Sequence, residues 1–157
     1  MKNKKKIILL VLVLVIVGVV IYVFKSNKEV AFDNEKAINV VKMYISAENE
    51  HNIEKAKSYM LNTNDNVNFQ ALENEINSIK TIKFVSAEKA KVEYKPESYT
   101  MSDGKKLDIK QGVVLDVTYE VDYKNNNQPD PSGKNSMLFT VVKLDDGYKI
   151  VNIGTGP

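Results

Sequence analysis

Eighteen consecutive residues without a charge, Ile7 to Phe24, constrain this chain more than any other feature in it. They are mostly Val, Ile and Leu, and as a helix they extend about 27 Å at about 1.5 Å per residue, close to the thickness of a bilayer's hydrocarbon core. The run predicts a transmembrane helix over residues 7–24. Lys2, Lys4, Lys5 and Lys6 precede it, and Lys25 and Lys28 follow it. With the heavier positive flank on the N-terminal side, the positive-inside rule predicts a cytoplasmic stub over 1–6 and an extracellular position for everything past Lys25. A cleavable signal peptide would end in a small-x-small pattern, whereas the exit here reads Tyr22-Val23-Phe24-Lys25-Ser26-Asn27. The expectation is therefore a single-pass protein of the cell membrane, in contact with lipid through residues 7–24.

Charge follows the same boundary. The 157 residues carry 22 basic and 20 acidic side chains, and every basic one is lysine. Six lysines and no acid fall within the first 28 residues, leaving 16 lysines against 20 acids, a net of −4, for the remainder. A mildly acidic outer part without arginine lacks the cationic face and the guanidinium fork that nucleic acid selects, so no nucleic-acid partner is expected. The absence of cysteine removes disulfides, thiolate metal sites and thiol nucleophiles. The lysine and asparagine bias resembles the codon usage of an AT-rich Gram-positive bacterium.

After a tether at 25–32, residues 33–157 read as one α+β domain. Asp33 or Asn34 can cap a helix over about 34–50, with Phe32 stapled back onto Ala37. Ala37, Val40, Val41, Tyr44 and Ile45 recur at helical spacing and predict the buried stripe, with Glu35, Lys36, Lys42, Glu48 and Glu50 on the other side. Asn52 can cap a shorter helix from Ile53 to about Leu61, and Phe69 to Ile76 can add a helical turn. From Ile79 the period becomes two. Strands are predicted at Ile79–Ser86, Lys89–Tyr99, Val113–Tyr123, Ser136–Leu144 and Tyr148–Ile153, with Asp145-Asp146-Gly147 as a tight hairpin connection and loops at Asp103-Gly104 and Asn125 to Lys134. Helices followed by antiparallel strands predict helices packed on one face of a curved sheet, whose longest strand bends at a bulge.

Ala37-x-x-Val40-Val41-x-x-Tyr44-Ile45, then Glu48-Asn49-Glu50-His51-Asn52, then Leu72-Glu73-Asn74-x-Ile76-x-x-Ile79-Lys80, and the closing Asp146-Gly147-Tyr148-Lys149-Ile150-Val151-Asn152-Ile153-Gly154 carry a resemblance. Over about residues 33–155 the chain resembles the domain-of-unknown-function 4829 family of Gram-positive surface proteins, within the nuclear transport factor 2-like, or cystatin-like, superfamily. The resemblance implies a cone-shaped domain, and by analogy a homodimer through the sheet face. Enzymes of that superfamily commonly place an Asp–His pair or a Tyr and an acid inside the cone, and no such pair is evident in this sequence.

Four candidate sites remain. His51, the single histidine, stands among Glu48, Glu50 and Asn52 and is expected in a solvated turn between helices. The loop from Asn62 to Glu73 echoes a calcium loop, but Val67 stands where glycine belongs and only Glu73 of the ligand positions is charged. Asp116, Glu120 and Asp122 share the strand face opposite the apolar one and are expected in solvent. Tyr44, Phe84, Tyr94, Tyr119, Phe139 and Tyr148 could line the mouth of the cone and hold a small apolar ligand. No catalytic residue, metal or cofactor is expected. The reading is a membrane-anchored, non-catalytic binding or interaction domain for an envelope protein or small ligand. The alternatives are a hydrolase- or isomerase-like site in the cone and an accessory role in envelope machinery.

Overall fold

The computed structural model describes residues 31–63, 69–125 and 131–154. The chain divides into two units, Met1–Ala31 and Phe32–Pro157, and the second holds the architecture below. Among the described residues no helix is long and apolar enough to cross a membrane. The expected stub, the span 7–24 and its flanking lysines lie outside them.

Helix α1 (Asn34–Asn49) begins at the expected cap: an Asp33 carboxylate oxygen accepts the backbone N–H groups of Glu35 and Lys36 at 3.0 and 3.2 Å. Phe32, expected to fold back onto Ala37, sets its ring edge-on to Tyr148 with centroids 5.2 Å apart. The Asp33 N–H donates to the Tyr148 hydroxyl at 2.9 Å. Beyond α1 the chain reverses through His51, the one non-glycine residue with positive φ (51°) among the described residues. Asn52 then caps helix α2 (Ile53–Ser58), its side-chain oxygen accepting the Lys55 N–H at 3.0 Å.

Helix α2 stops three residues short of the expected Leu61 because the following backbone pairs elsewhere. Ile150 N–H donates to the Tyr59 carbonyl at 2.9 Å, and Leu61 N–H to the Ile150 carbonyl at 2.8 Å. That short parallel bridge covers an edge of the sheet that would otherwise present unpaired backbone groups. Helix α3 (Phe69–Ser78) runs into strand β1 (Ile79–Lys89) with no residue between them.

The main sheet is antiparallel in the order β1-β4-β5-β6, with β4 at Gly112–Tyr123, β5 at Gly133–Leu144 and β6 at Gly147–Gly154. Strand β4 buries Val113, Leu115, Val117, Tyr119 and Val121 as its alternation predicts, but Val114, expected on the solvent face, is buried as well. Its register with β5 is unbroken, so the expected bulge lies in the outer strands instead. Strand β1 carries an extra residue between Ile79 and Thr81 and another between Phe84 and Ser86, and β6 carries one between Ile150 and Asn152. Extra residues on the edges bend a sheet while leaving its central ladder intact. Leu144 pairs with Gly147 around the Asp145-Asp146 turn, and Gly147 takes φ 142°, a value that disfavours a side chain.

Helix α1 lies against all four strands and closes the main core, with Ile45, Ile76, Ile79, Leu115 and Ile150 fully buried. One expected strand is corrected. Lys89–Tyr99 is not continuous: β1 ends at Lys89, residues 91–96 form no strand, and pairing resumes only at β2 (Glu97–Thr100). Pro96 has no N–H to give a ladder, and it restricts Lys95. Strand β2 pairs with β3 (Lys106–Ile109), which has no counterpart among the expected strands, around the Asp103-Gly104 turn. This hairpin supplies Tyr99 and Ile109 to a second core with Leu61, Val142 and Val151. Val142 and Val151 directly follow Val141 and Ile150 of the main core, so β5 and β6 are buried on both faces.

Candidate functional site

A cavity of about 320 Å³ opens between α1, α3 and the sheet. Ile45, Leu72, Ile79 and Ile82 make its aliphatic wall, and Tyr44, Tyr119, Tyr123 and Phe139 its aromatic one. Tyr44 and Phe139 meet edge to face, centroids 6.0 Å apart. The lining passes from buried Tyr44, Tyr119 and Phe139 to exposed Ala71, Glu75 and Asn152, so the cavity reaches from the core to a polar rim.

Its chemistry centres on Glu48, which is only 4% exposed. The helical repeat puts it there: Ala37, Val41, Tyr44 and Glu48 succeed one another at intervals of four, three and four residues, so Glu48 ends the buried stripe of α1. The expectation that Glu48 faces solvent is thereby corrected. Four residues apart, Tyr44 and Glu48 are neighbours on the helix, and the Tyr44 hydroxyl acts on the Glu48 carboxyl. Burial pushes the Glu48 carboxyl up to about 8, the nearby Glu75 charge pushes in the same direction, and the Tyr44 hydroxyl opposes them. The Tyr44 hydroxyl is raised by its own burial and by Glu48. At neutral pH Glu48 is therefore mostly a neutral acid, able to donate from one oxygen and accept at the other. A Tyr-and-acid pair inside the domain is thus present, although none was evident in the sequence.

Three of the six aromatic candidates, Tyr44, Tyr119 and Phe139, line this cavity. Phe84 packs at the edge of the main core under the Lys42 ammonium, 5.1 Å from its ring centre. Tyr94 belongs to the second core, where its hydroxyl donates to the Ile109 carbonyl at 3.1 Å and its ring lies over Gly112. Tyr148 holds Phe32 and Asp33 at the start of α1.

His51 is exposed, as expected, with Nδ1 3.2 Å from the Ile76 carbonyl oxygen. Of the three β4 acids expected in solvent, Glu120 is exposed, whereas Asp116 and Asp122 are half-buried and Asp122 pairs with Lys80 at 2.9 Å. In the calcium-like loop, residues 64–68 lie outside the described ones, and the Glu73 carboxylate is engaged by Lys57 at 2.6 Å. Among the described residues no group of acids and histidines is placed to hold a metal ion.

With this geometry in place, comparison with known proteins adds one match. A family profile described as a domain of unknown function (DUF4829) matches residues 38–154, which include every cavity residue named above. No curated protein and no solved structure matches the chain.

Proposed function

Since the chain belongs to the DUF4829 family, whose description assigns no activity, we propose from the cavity itself that the domain is a binding module for a small, largely apolar ligand. One observation carries this reading: a buried carboxylic acid stands on the floor of an aromatic and aliphatic cavity. Small-molecule sites combine an apolar wall with a few fixed polar groups, and about 320 Å³ is at the small end of their range of roughly 300–1,000 Å³. Helices packed on one face of a curved antiparallel sheet, with a pocket between the layers, also support the cone-shaped nuclear transport factor 2-like architecture that the resemblance implies.

The test is binding of the neutral fluorophore N-phenyl-1-naphthylamine to the full chain and to Ala71→Trp. Ala71 is exposed on the rim, so a bulky ring there obstructs the cavity without entering the core. Loss of binding in Ala71→Trp supports the proposal, and unchanged binding overturns it.

Acid–base catalysis in the same cavity is a second reading, favoured by a carboxyl that titrates near neutrality beside another carboxylate. Turnover that falls in Glu48→Gln would favour it over binding alone. The uncharged run Ile7–Phe24 between lysine clusters supports a further part of the proposal, that the domain is held at the outer face of the cell membrane. Ser132 is exposed, and the chain has no cysteine of its own. Ser132→Cys is expected to react with an impermeant maleimide on intact cells; reaction only after lysis would refute the outward orientation.

A further inference from the structure

We infer that the ligand of this cavity is a small organic cation, an ammonium group on an apolar body, which rests on the binding reading above. The sign of the lining makes the selection. Its ionisable side chains, tyrosines apart, are both acidic: Glu75 stands on the rim, and Glu48, a neutral acid in the free domain, stands deeper and can give up its proton when a cation binds. Among the described residues no lysine lines the cavity, although lysine is plentiful elsewhere in the chain. An anion entering this space would lose its hydration and pass the Glu75 carboxylate on the rim, with no cationic side chain among the described lining residues to receive it. A neutral ligand would gain from apolar contact alone. An ammonium ion gains twice. It is attracted by the Glu75 carboxylate and can lower the proton affinity of Glu48, and Tyr44, Tyr119, Tyr123 and Phe139 line the space with aromatic rings, a residue type whose faces attract a partly desolvated cation.

The arrangement also separates the two halves of such a ligand. The acids come from the helices, Glu48 from α1 and Glu75 from α3, whereas Ile79 and Ile82 of β1, Met137 of β5 and Ile153 of β6 line the sheet side. A head group between the helices and a hydrocarbon tail along the sheet would satisfy both. Arginine and lysine side chains carry the same charge, but a free amine of a few carbons suits a cavity of about 320 Å³ better than a folded polypeptide surface does.

The test uses three probes with one body and different heads: 4-phenylbutylamine, 4-phenylbutanol and 4-phenylbutyrate, titrated calorimetrically into the full chain at neutral pH. The expected order is amine tightest, by at least tenfold over the alcohol, and butyrate weakest. Glu75→Gln is expected to weaken the amine by at least fivefold and the alcohol by less than twofold. Glu75 is exposed, so this variant leaves the core untouched. If the alcohol binds as well as the amine, and Ala71→Trp abolishes both, the cavity binds ligands but the cation inference falls. If none of the three binds, both the binding reading and the cation inference fall.

Discussion

Replacing Glu48 by glutamine keeps the shape of the side chain and removes its ability to ionise. In the folded domain the Glu48 carboxyl titrates at about 8, against 4.5 for an ordinary glutamate. Below pH 4.5 the group is protonated in both folded and unfolded chains and contributes no difference. Between 4.5 and about 8 the unfolded chain releases a proton that the folded one retains, so stability falls as pH rises. A gap of about 3.5 units at about 1.36 kcal/mol each gives a loss of up to about 5 kcal/mol, complete above pH 8. Against a typical domain stability of about 5–15 kcal/mol that is a large fraction. The glutamine side chain has no such proton to release. Urea denaturation at pH 5 and pH 8.5, followed by circular dichroism and tyrosine emission because the chain has no tryptophan, measures the difference directly. The expected outcome is similar stability of wild type and Glu48→Gln at pH 5 and an advantage of about 3–5 kcal/mol for the variant at pH 8.5. If the difference between the two proteins is the same at both pH values, Glu48 is not the buried, raised acid described here.

Two further perturbations test the fold that carries the site. A Cβ on Gly112 would lie 2.8 Å from the Tyr94 ring, so Gly112→Ala is expected to destabilise by about 1–3 kcal/mol, and by clearly less when Tyr94 is already replaced by alanine, as a double-mutant denaturation cycle would show. Asp33→Ala removes the acceptor for two N–H groups of α1 and is expected to lower stability by about 1 kcal/mol in the same assay; no change would mean that the Tyr148 contacts alone hold this helix start.

Local rules account for what the sequence discloses. Strict alternation in Val113–Tyr123 defines β4, Asp33 and Asn52 announce two helix starts, and Asp145-Asp146-Gly147 marks the hairpin. Where expectation and structure part, a longer-range pairing overrides the local pattern. Met60 and Leu61 continue a helical stripe in sequence but pair with β6 in space. Val92 and Tyr94 alternate like a strand, yet Val92 is 42% exposed and Tyr94 covers Gly112. The second core is invisible locally because its residues come from five separated segments. Glu48 is a different kind of miss. Its position in the stripe is readable, but its charge argues for solvent, and only the tertiary structure shows an acid kept neutral by its surroundings. Periodicity ranked above residue type would have found it. Glu75 leaves no comparable trace, since it flanks the apolar stripe of α3 and reaches the cavity only through the way the helix lies.

The entry of the chain into the domain bears on how it would carry force. Phe32 and Asp33 are the first residues of the domain to be fastened, and both are fastened to Tyr148, which opens the last strand rather than belonging to the helix they begin. A pull on the preceding segment is therefore delivered to the β5–β6 hairpin as well as to the first turn of α1. That hairpin is buried on both faces, so the load meets the part of the sheet with the most to lose by separating. A domain tugged from its N-terminal end would resist peeling of α1 for as long as the Tyr148 clasp holds, and the cavity beneath that helix would keep its shape under tension.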